Sequence, residues 1–300
     1  MLKFMKYKWV YAVASALILI PGIISLLRWG LTPSLDFTGG SIVELRFEKE
    51  ITPQMLEEFA TESGIEVVSV QKSADSTYLL KAKEFGKDKN EMLKQTLTTQ
   101  FGQVEELRFE SVGPIIGEEL TRKTIVAAGV AVFAILLYVV FAFRKVKGEI
   151  KSWRFGVAAV IALLHDTVAT MGIFSLLGHF FGIEVDLLFV TAVLTIMSFS
   201  VHDTIVVFDR LREVLKRAPG IAVEEAANLA LTETMIRSVN NSLTIIFMLL
   251  ALFLLGGTTI HWFIFALLIG TIFGTYSSPF IATPLLILLG KIPILKTKQR

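Results

Sequence analysis

Six stretches of this chain are apolar enough, for long enough, to cross a lipid bilayer. The hydrocarbon layer is about 30 Å thick, and a helix needs roughly 20 residues to span it. The stretches are residues 9–27, 124–143, 155–177, 187–207, 238–255 and 262–289. With no water in the layer, a spanning backbone must satisfy its own hydrogen bonds, so each run is expected to be a helix. The expectation is a polytopic α-helical membrane protein with six transmembrane helices. Composition agrees. The 300 residues are 53% hydrophobic without counting glycine, and mean hydropathy is +0.65. Soluble domains reach about 45–50% apolar even with glycine included.

The charges are few and unevenly placed. Lys and Arg number 29 against 27 Asp and Glu, so no basic excess points to nucleic acid. Lys3, Lys6 and Lys8 precede the first run, and Arg144, Lys145, Lys147, Lys151 and Arg154 follow the second. Arg210, Arg212, Lys216, Arg217 and Arg237 lie between the fourth and fifth, and Lys291, Lys296, Lys298 and Arg300 end the chain. The connections 178–186 and 256–261 carry no Lys or Arg. Basic flanks stay cytoplasmic, so both termini are expected inside. Trp9, Trp29, Trp153 and Trp262 fall where the bilayer interfaces are expected. Residues 9–27 read as an uncleaved anchor: the run exceeds a signal peptide's apolar core, and no small-residue cleavage site follows cleanly.

Between the first two runs lie about ninety residues of ordinary soluble composition. Residues 41–47 alternate as a strand. Thr52-Pro53 opens a helix that Ser63-Gly64 closes. Residues 66–71 and 77–82 read as strands joined by a turn at 73–76. A helix from Asp88 to Phe101 and a strand at 104–112 follow. The order β-α-β-β-α-β is the ferredoxin-like α+β pattern, expected here as an extracytoplasmic domain over 30–120. The tail and first span occupy 1–29, the remaining spans 121–290, and a basic tail 291–300. Residues 209–235 carry an apolar stripe of Val223, Ala226, Ala227, Ala230, Leu231 and Thr234. They are expected as a cytoplasmic amphipathic helix along the inner membrane face.

Polar groups inside a span are costly and mark pathways. Asp166 lies midway along the third run, beside His165 and one turn before Thr170. Asp203 lies near the end of the fourth, close to Ser200 and Thr204, and Thr191, Thr195, Ser198 and His202 add a second polar face. Arg237, Asn240, Asn241 and Thr244 share one face of the fifth helix, as do Thr271, Thr275 and Ser278 on the sixth. Gly270 and Gly274 form a small-residue surface for close helix packing. Two readings stay open. In one, the seam moves a cation or proton; in the other, an Asp–Arg pair fixes helix packing. His165 and His202 read as hydrogen-bonding packing residues, and no spacing makes a metal site. The run Arg210–Arg217 reads as a topology signal. Cysteine is absent, as are P-loop, G-x-S-x-G and H-E-x-x-H motifs, so no enzyme is expected. Energy for work would come from an ion gradient or a partner.

Five ordered motifs make the reading specific. They are Asp36-Phe37-Thr38-Gly39-Gly40 after the first span, and Gly113-Pro114-Ile115-Ile116-Gly117-Glu118-Glu119-Leu120 before the second. His165-Asp166 lies in the third, Ser200 to Arg210 around His202-Asp203-Thr204 closes the fourth, and Gly256-Gly257 closes the fifth. In order and spacing the chain resembles, over its whole length, the SecF side of the SecD/SecF protein-export family of the RND superfamily. The resemblance implies a subunit of the bacterial cytoplasmic (inner) membrane that works with a separate SecD, the Sec translocon channel and a translocating preprotein amid membrane lipid. It would be driven by the proton gradient without a cofactor. It implies that the family's membrane Asp and Arg map to Asp203 and Arg237, with Asp166 in the His-Asp pair. Alternatives are a scaffold subunit without its own relay, or half of an RND-type small-molecule exporter.

Overall fold

The computed structural model describes residues 3–74, 76–144 and 151–291. Lys145, Lys147, Lys296, Lys298 and Arg300 lie outside the described residues. The chain forms two compact units: residues 1–32 with 127–300, and residues 33–126.

Among the described residues, long helices make up most of the first unit. Six helices in the chain are long and apolar enough to cross a membrane. They are α1 (Lys8–Arg28), α5 (Pro114–Ala142), α6 (Ser152–Phe181), α7 (Leu187–Arg217), α8 (Val223–Leu255), and a sixth span. That span joins α9 (His261–Ser277), a π-helical segment (Ser278–Ala282) and α10 (Thr283–Lys291). Pro279 lacks the N–H that an α-helix would use there, which accounts for the break in the α pattern.

Small residues decide which helices touch. Ser15 meets His165, Gly22 meets Gly172, and Ser25 meets Ser175, each pair 150 residues apart. A constant offset means that α1 and α6 run parallel and in register. A methyl at Gly172 would lie 2.5 Å from Cα of Gly22, so only glycine permits this approach. Gly270 and Gly274 of α9 face Ile196 and Ser200 of α7, the close packing expected of their spacing. Phe143, the residue after α5, stacks on Phe155 of α6 at 4.9 Å, and Phe208 of α7 meets Phe155 edge-on at 5.4 Å.

One expectation fails here. Residues 209–235 are not a single amphipathic helix along the membrane face. Residues up to Arg217 complete α7, a short turn follows, and Val223 begins α8, which runs unbroken into the fifth span. The apolar stripe is buried against protein: Ala226, Ala227, Ala230 and Leu231 pack with Met5, Phe208, Leu211 and Val214. An amphipathic pattern reports a buried face but not whether lipid or protein covers it.

The second unit holds a four-stranded antiparallel sheet of β1 (Gly40–Phe47), β2 (Val67–Ala74), β3 (Thr77–Ala82) and β4 (Val104–Val112). The sheet order is β2-β3-β1-β4. Helices α3 (Pro53–Glu62) and α4 (Lys87–Phe101) supply Leu56, Ala60, Leu93 and Leu97 to its core, against Val43, Leu45, Tyr78 and Leu80. The Thr52 side chain caps α3 by accepting from Met55 N–H, with Pro53 in the first turn. A short helix, α2 (Leu35–Thr38), precedes β1.

Candidate functional site

Asp166 on α6 is a fully buried carboxylate. Its Oδ2 accepts from the Ser200 hydroxyl of α7 and the Ser277 hydroxyl of α9, both at 2.6 Å. Its Oδ1 meets His165 Nδ1 at 2.9 Å, and His165 Nε2 meets the Ser15 hydroxyl of α1. One carboxylate therefore ties four helices together. Thr204 on α7 and Ser278 at the π segment share a further hydrogen bond of 2.9 Å. The Thr170 hydroxyl turns back to the Asp166 carbonyl at 2.9 Å and stays out of the side-chain network.

Asp203 is also buried, on the α8 side of α7, and accepts a long bond of 3.4 Å from Ser242. Arg237 is not its partner. Among the described residues no ion pair joins them, and Arg237 is exposed together with Asn240, Asn241 and Thr244. The face that carries these four points away from the rest of the chain. His202, Ser198 and Thr191 of α7 are exposed as well. Only 11% of the most apolar stretch of α8 is buried, against 61% for α6. A static Asp203–Arg237 pair, one of the two readings of the sequence, is not made within the chain.

The basic run is matched by acids. Arg212 pairs with Asp209 at 2.5 Å, Arg210 pairs with Glu213 and Glu233, and Arg217 pairs with Glu213. Asp209, Arg210, Arg212, Glu213 and Glu233 line a cavity of about 730 Å³ that Arg237 also borders. Periodicity on α7 and α8 revealed the polar faces but missed Ser15, Ser277 and Ser242. The signal was present: Ser15, Gly22 and Ser25 recur on one helical face, and Ser277 follows Gly270 and Gly274 on the face packed against α7.

The glycine motifs meet inside the second unit. Gly39 and Gly40 have φ of 68° and 119°, a region that favours glycine. A methyl at Gly39 would lie 2.8 Å from Cα of Pro114, and one at Gly117 would lie 2.9 Å from the Phe37 carbonyl. The segment from Asp36 to Gly40 and the first turn of α5 are thus clasped together. The motif expected to lead into the second span is its first turns: Pro114 opens the helix, and Glu119 and Leu120 lie within it. Gly256 ends α8, donating its N–H to Leu252, and Gly257 follows. No group of three or more His, Cys, Asp or Glu placed to hold a metal occurs among the described residues.

Six long apolar helices, with ionisable and hydroxyl groups held between them, define a multi-pass membrane protein with an internal polar network. Comparison with known proteins sharpens the class. Residues 92–292 match the model of the C-terminal part of protein export membrane proteins SecD/SecF, and residues 25–51 match the SecD/SecF GG motif, which contains Gly39 and Gly40. The chain belongs to the SecD/SecF protein-export family. It is 44% identical to protein translocase subunit SecF of Thermobaculum terrenum, covering 96% of this chain and 93% of that protein. It is 37% identical to the SecF of Anaerolinea thermophila, over 96% and 94%. The crystal structure of SecDF from Thermus thermophilus superposes with a TM-score of 0.81 at 32% identity. The match covers 96% of this chain but only 38% of the SecDF chain.

Proposed function

We propose that this chain is a SecF-like subunit that joins a separate SecD to promote protein export through the Sec translocon of the cytoplasmic membrane, driven by the proton motive force. In this reading both termini are cytoplasmic. The sheet unit is a ferredoxin-like domain on the far side, which its order β2-β3-β1-β4 with two helices supports. The translocating preprotein is the cargo, the proton gradient the energy source, and no cofactor takes part.

The observation that carries the reading is the uncovered polar face of α7 and α8. Arg237, Asn240, Asn241 and Thr244 lie exposed on a helix apolar enough to span the membrane. Polar side chains within a span face protein or water rather than lipid, and Arg237 stands at the entrance of the run that holds Asn240, Asn241 and Thr244. A partner half fits there, and the fused SecDF relatives, about 2.6 times longer than the matched part, contain one. Asp203 borders this face and takes up and releases the proton; Arg237 biases it once the partner closes the seam. Asp166, through Ser200 three residues before Asp203, supports the relay from inside the bundle. One proton falling through 100 mV yields about 2.3 kcal/mol, enough to bias a two-state element about fiftyfold.

The test is proton conductance and export by the SecD-containing complex with Asp203 intact and as Asp203→Asn. The variant keeps the shape and the Ser242 contact. Loss of both activities in a complex of normal abundance is expected. Wild-type conductance and export would refute the relay; reduced abundance with export falling in proportion would favour a scaffold.

A further inference from the structure

A groove of about 490 Å³ runs along the outside of the bundle between α1, α6 and the last part of the sixth span. It exists because α1 places Ala12, Ser15 and Ala16 where larger side chains would close the gap. Leu19, Ile161 and Leu285 are among its apolar walls, and nothing from α7 or α8 contributes to it. Its only strongly polar floor is the Ser15–His165 contact, whose groups already satisfy each other. The groove extends along α1 from Lys8 to Ile23, fifteen residues or about 22 Å. That exceeds the roughly 15 Å depth of one leaflet, half of the hydrocarbon layer.

One end of the groove differs from the rest. Lys8 and Trp9 stand there, Trp9 68% exposed. The Lys8 ammonium pairs with Glu224 at 3.1 Å but carries three N–H donors, so donors remain for a second anion. Lys3 and Lys6, both exposed, add positive charge just before it. An apolar channel of leaflet length with a cationic, indole-flanked mouth is complementary to a lipid with an acidic head. We infer that this groove holds one acyl chain of an anionic phospholipid from the leaflet at the N-terminal end of α1, with its phosphate at Lys8.

The test uses the full chain with Trp9 as its sole tryptophan (Trp29→Phe, Trp153→Phe, Trp262→Phe) in phosphatidylcholine vesicles. Trp9 fluorescence is followed as brominated phosphatidylglycerol or brominated phosphatidylcholine replaces the unlabelled lipid. A basic residue near the surface contributes about a fivefold preference for an acidic lipid. The expected result is phosphatidylglycerol quenching in excess of its mole fraction, with the preference cut about fivefold by Lys8→Gln. Ala16→Phe should fill the groove and abolish the excess with Lys8 still present. Ala12→Leu repeats that test with a smaller insertion, should the first variant fold poorly. Quenching that follows the bulk mole fraction of either lipid would overturn the inference. So would a preference that survives both fillings, or protection of Trp9 from both lipids.

Discussion

Replacing Asp166 with leucine keeps the side chain's branched skeleton, adds the bulk of two methyls at a fully buried position, and removes the acceptor shared by α6, α7 and α9. The His165 N–H and the Ser200 and Ser277 hydroxyls then lose their partner. A buried donor left unpaired costs about 1–3 kcal/mol. The loss is not three times the maximum. The Ser277 hydroxyl already has the Gly274 carbonyl at 3.3 Å, and the Ser200 hydroxyl can turn to the carbonyl one turn back, as Thr204 does to Ser200 at 3.0 Å. Hydrogen bonds between membrane helices are also weaker than expected, averaging about 0.6 kcal/mol. With one donor stranded and two partly rescued, Asp166→Leu should destabilise by about 2–5 kcal/mol, a large share of the roughly 5–15 kcal/mol that holds a domain folded. Asp166→Asn keeps an acceptor for one donor and offers an amide to the hydroxyls, so its loss should be about half as large. Unfolding of the purified chain in mixed micelles by increasing dodecyl sulfate measures both. Asp166→Leu within 0.5 kcal/mol of wild type, or less harmful than Asp166→Asn, would refute the reasoning.

Gly172→Ala should push α1 away from α6, stretching the Ser25–Ser175 bond of 2.7 Å and the Ser15–His165 contact. A loss of about 1–3 kcal/mol is expected in the same unfolding assay, and no change would show that the helices yield easily. Gly39→Ala meets both a φ of 68° and the Pro114 backbone, so hydrogen exchange of β1 and β4 should accelerate; unchanged protection would contradict the clasp. Glu66 titrates below the ordinary glutamate value of 4.5 because the exposed Lys83 ammonium hydrogen-bonds and attracts its carboxylate. Since the folded value is lowered, this contribution is complete above pH 4.5 and is lost as pH falls through the lowered value. An NMR titration should find the Glu66 midpoint rising toward 4.5 in Lys83→Ala, and an unmoved midpoint would exclude the pair.

The legible parts share a physical cause. Six spans could be read because a long apolar run in hydrocarbon satisfies its own backbone only as a helix, and their cores fell where expected. Their ends did not. Span two begins at Pro114 and span four runs to Arg217, because a helix continues past the apolar layer wherever its polar turns remain paired. Ion pairs around Arg210 and Glu213 sustain the last turns of α7. The sheet unit followed its alternation and caps closely, down to Thr52-Pro53 at the start of α3.

The candidate site was legible by residue and not by partner. Sequence alone placed Asp166, His165 and Ser200 within the spans, and Asp203 and Arg237 on neighbouring helices, because cost in lipid marks such groups wherever they fall. Which of them touch depended on the rotation of each helix and on how closely its neighbours approach. Glycine contacts such as Gly22–Gly172 and Gly274–Ser200 fix that distance, and local periodicity carries no record of it. Tertiary structure therefore gave Asp166 to Ser200 and Ser277, left Arg237 exposed, and opened a groove beside α1. The apolar pattern decided how many times the chain crosses the membrane, and the packing of small residues between helices decided which polar groups meet inside it.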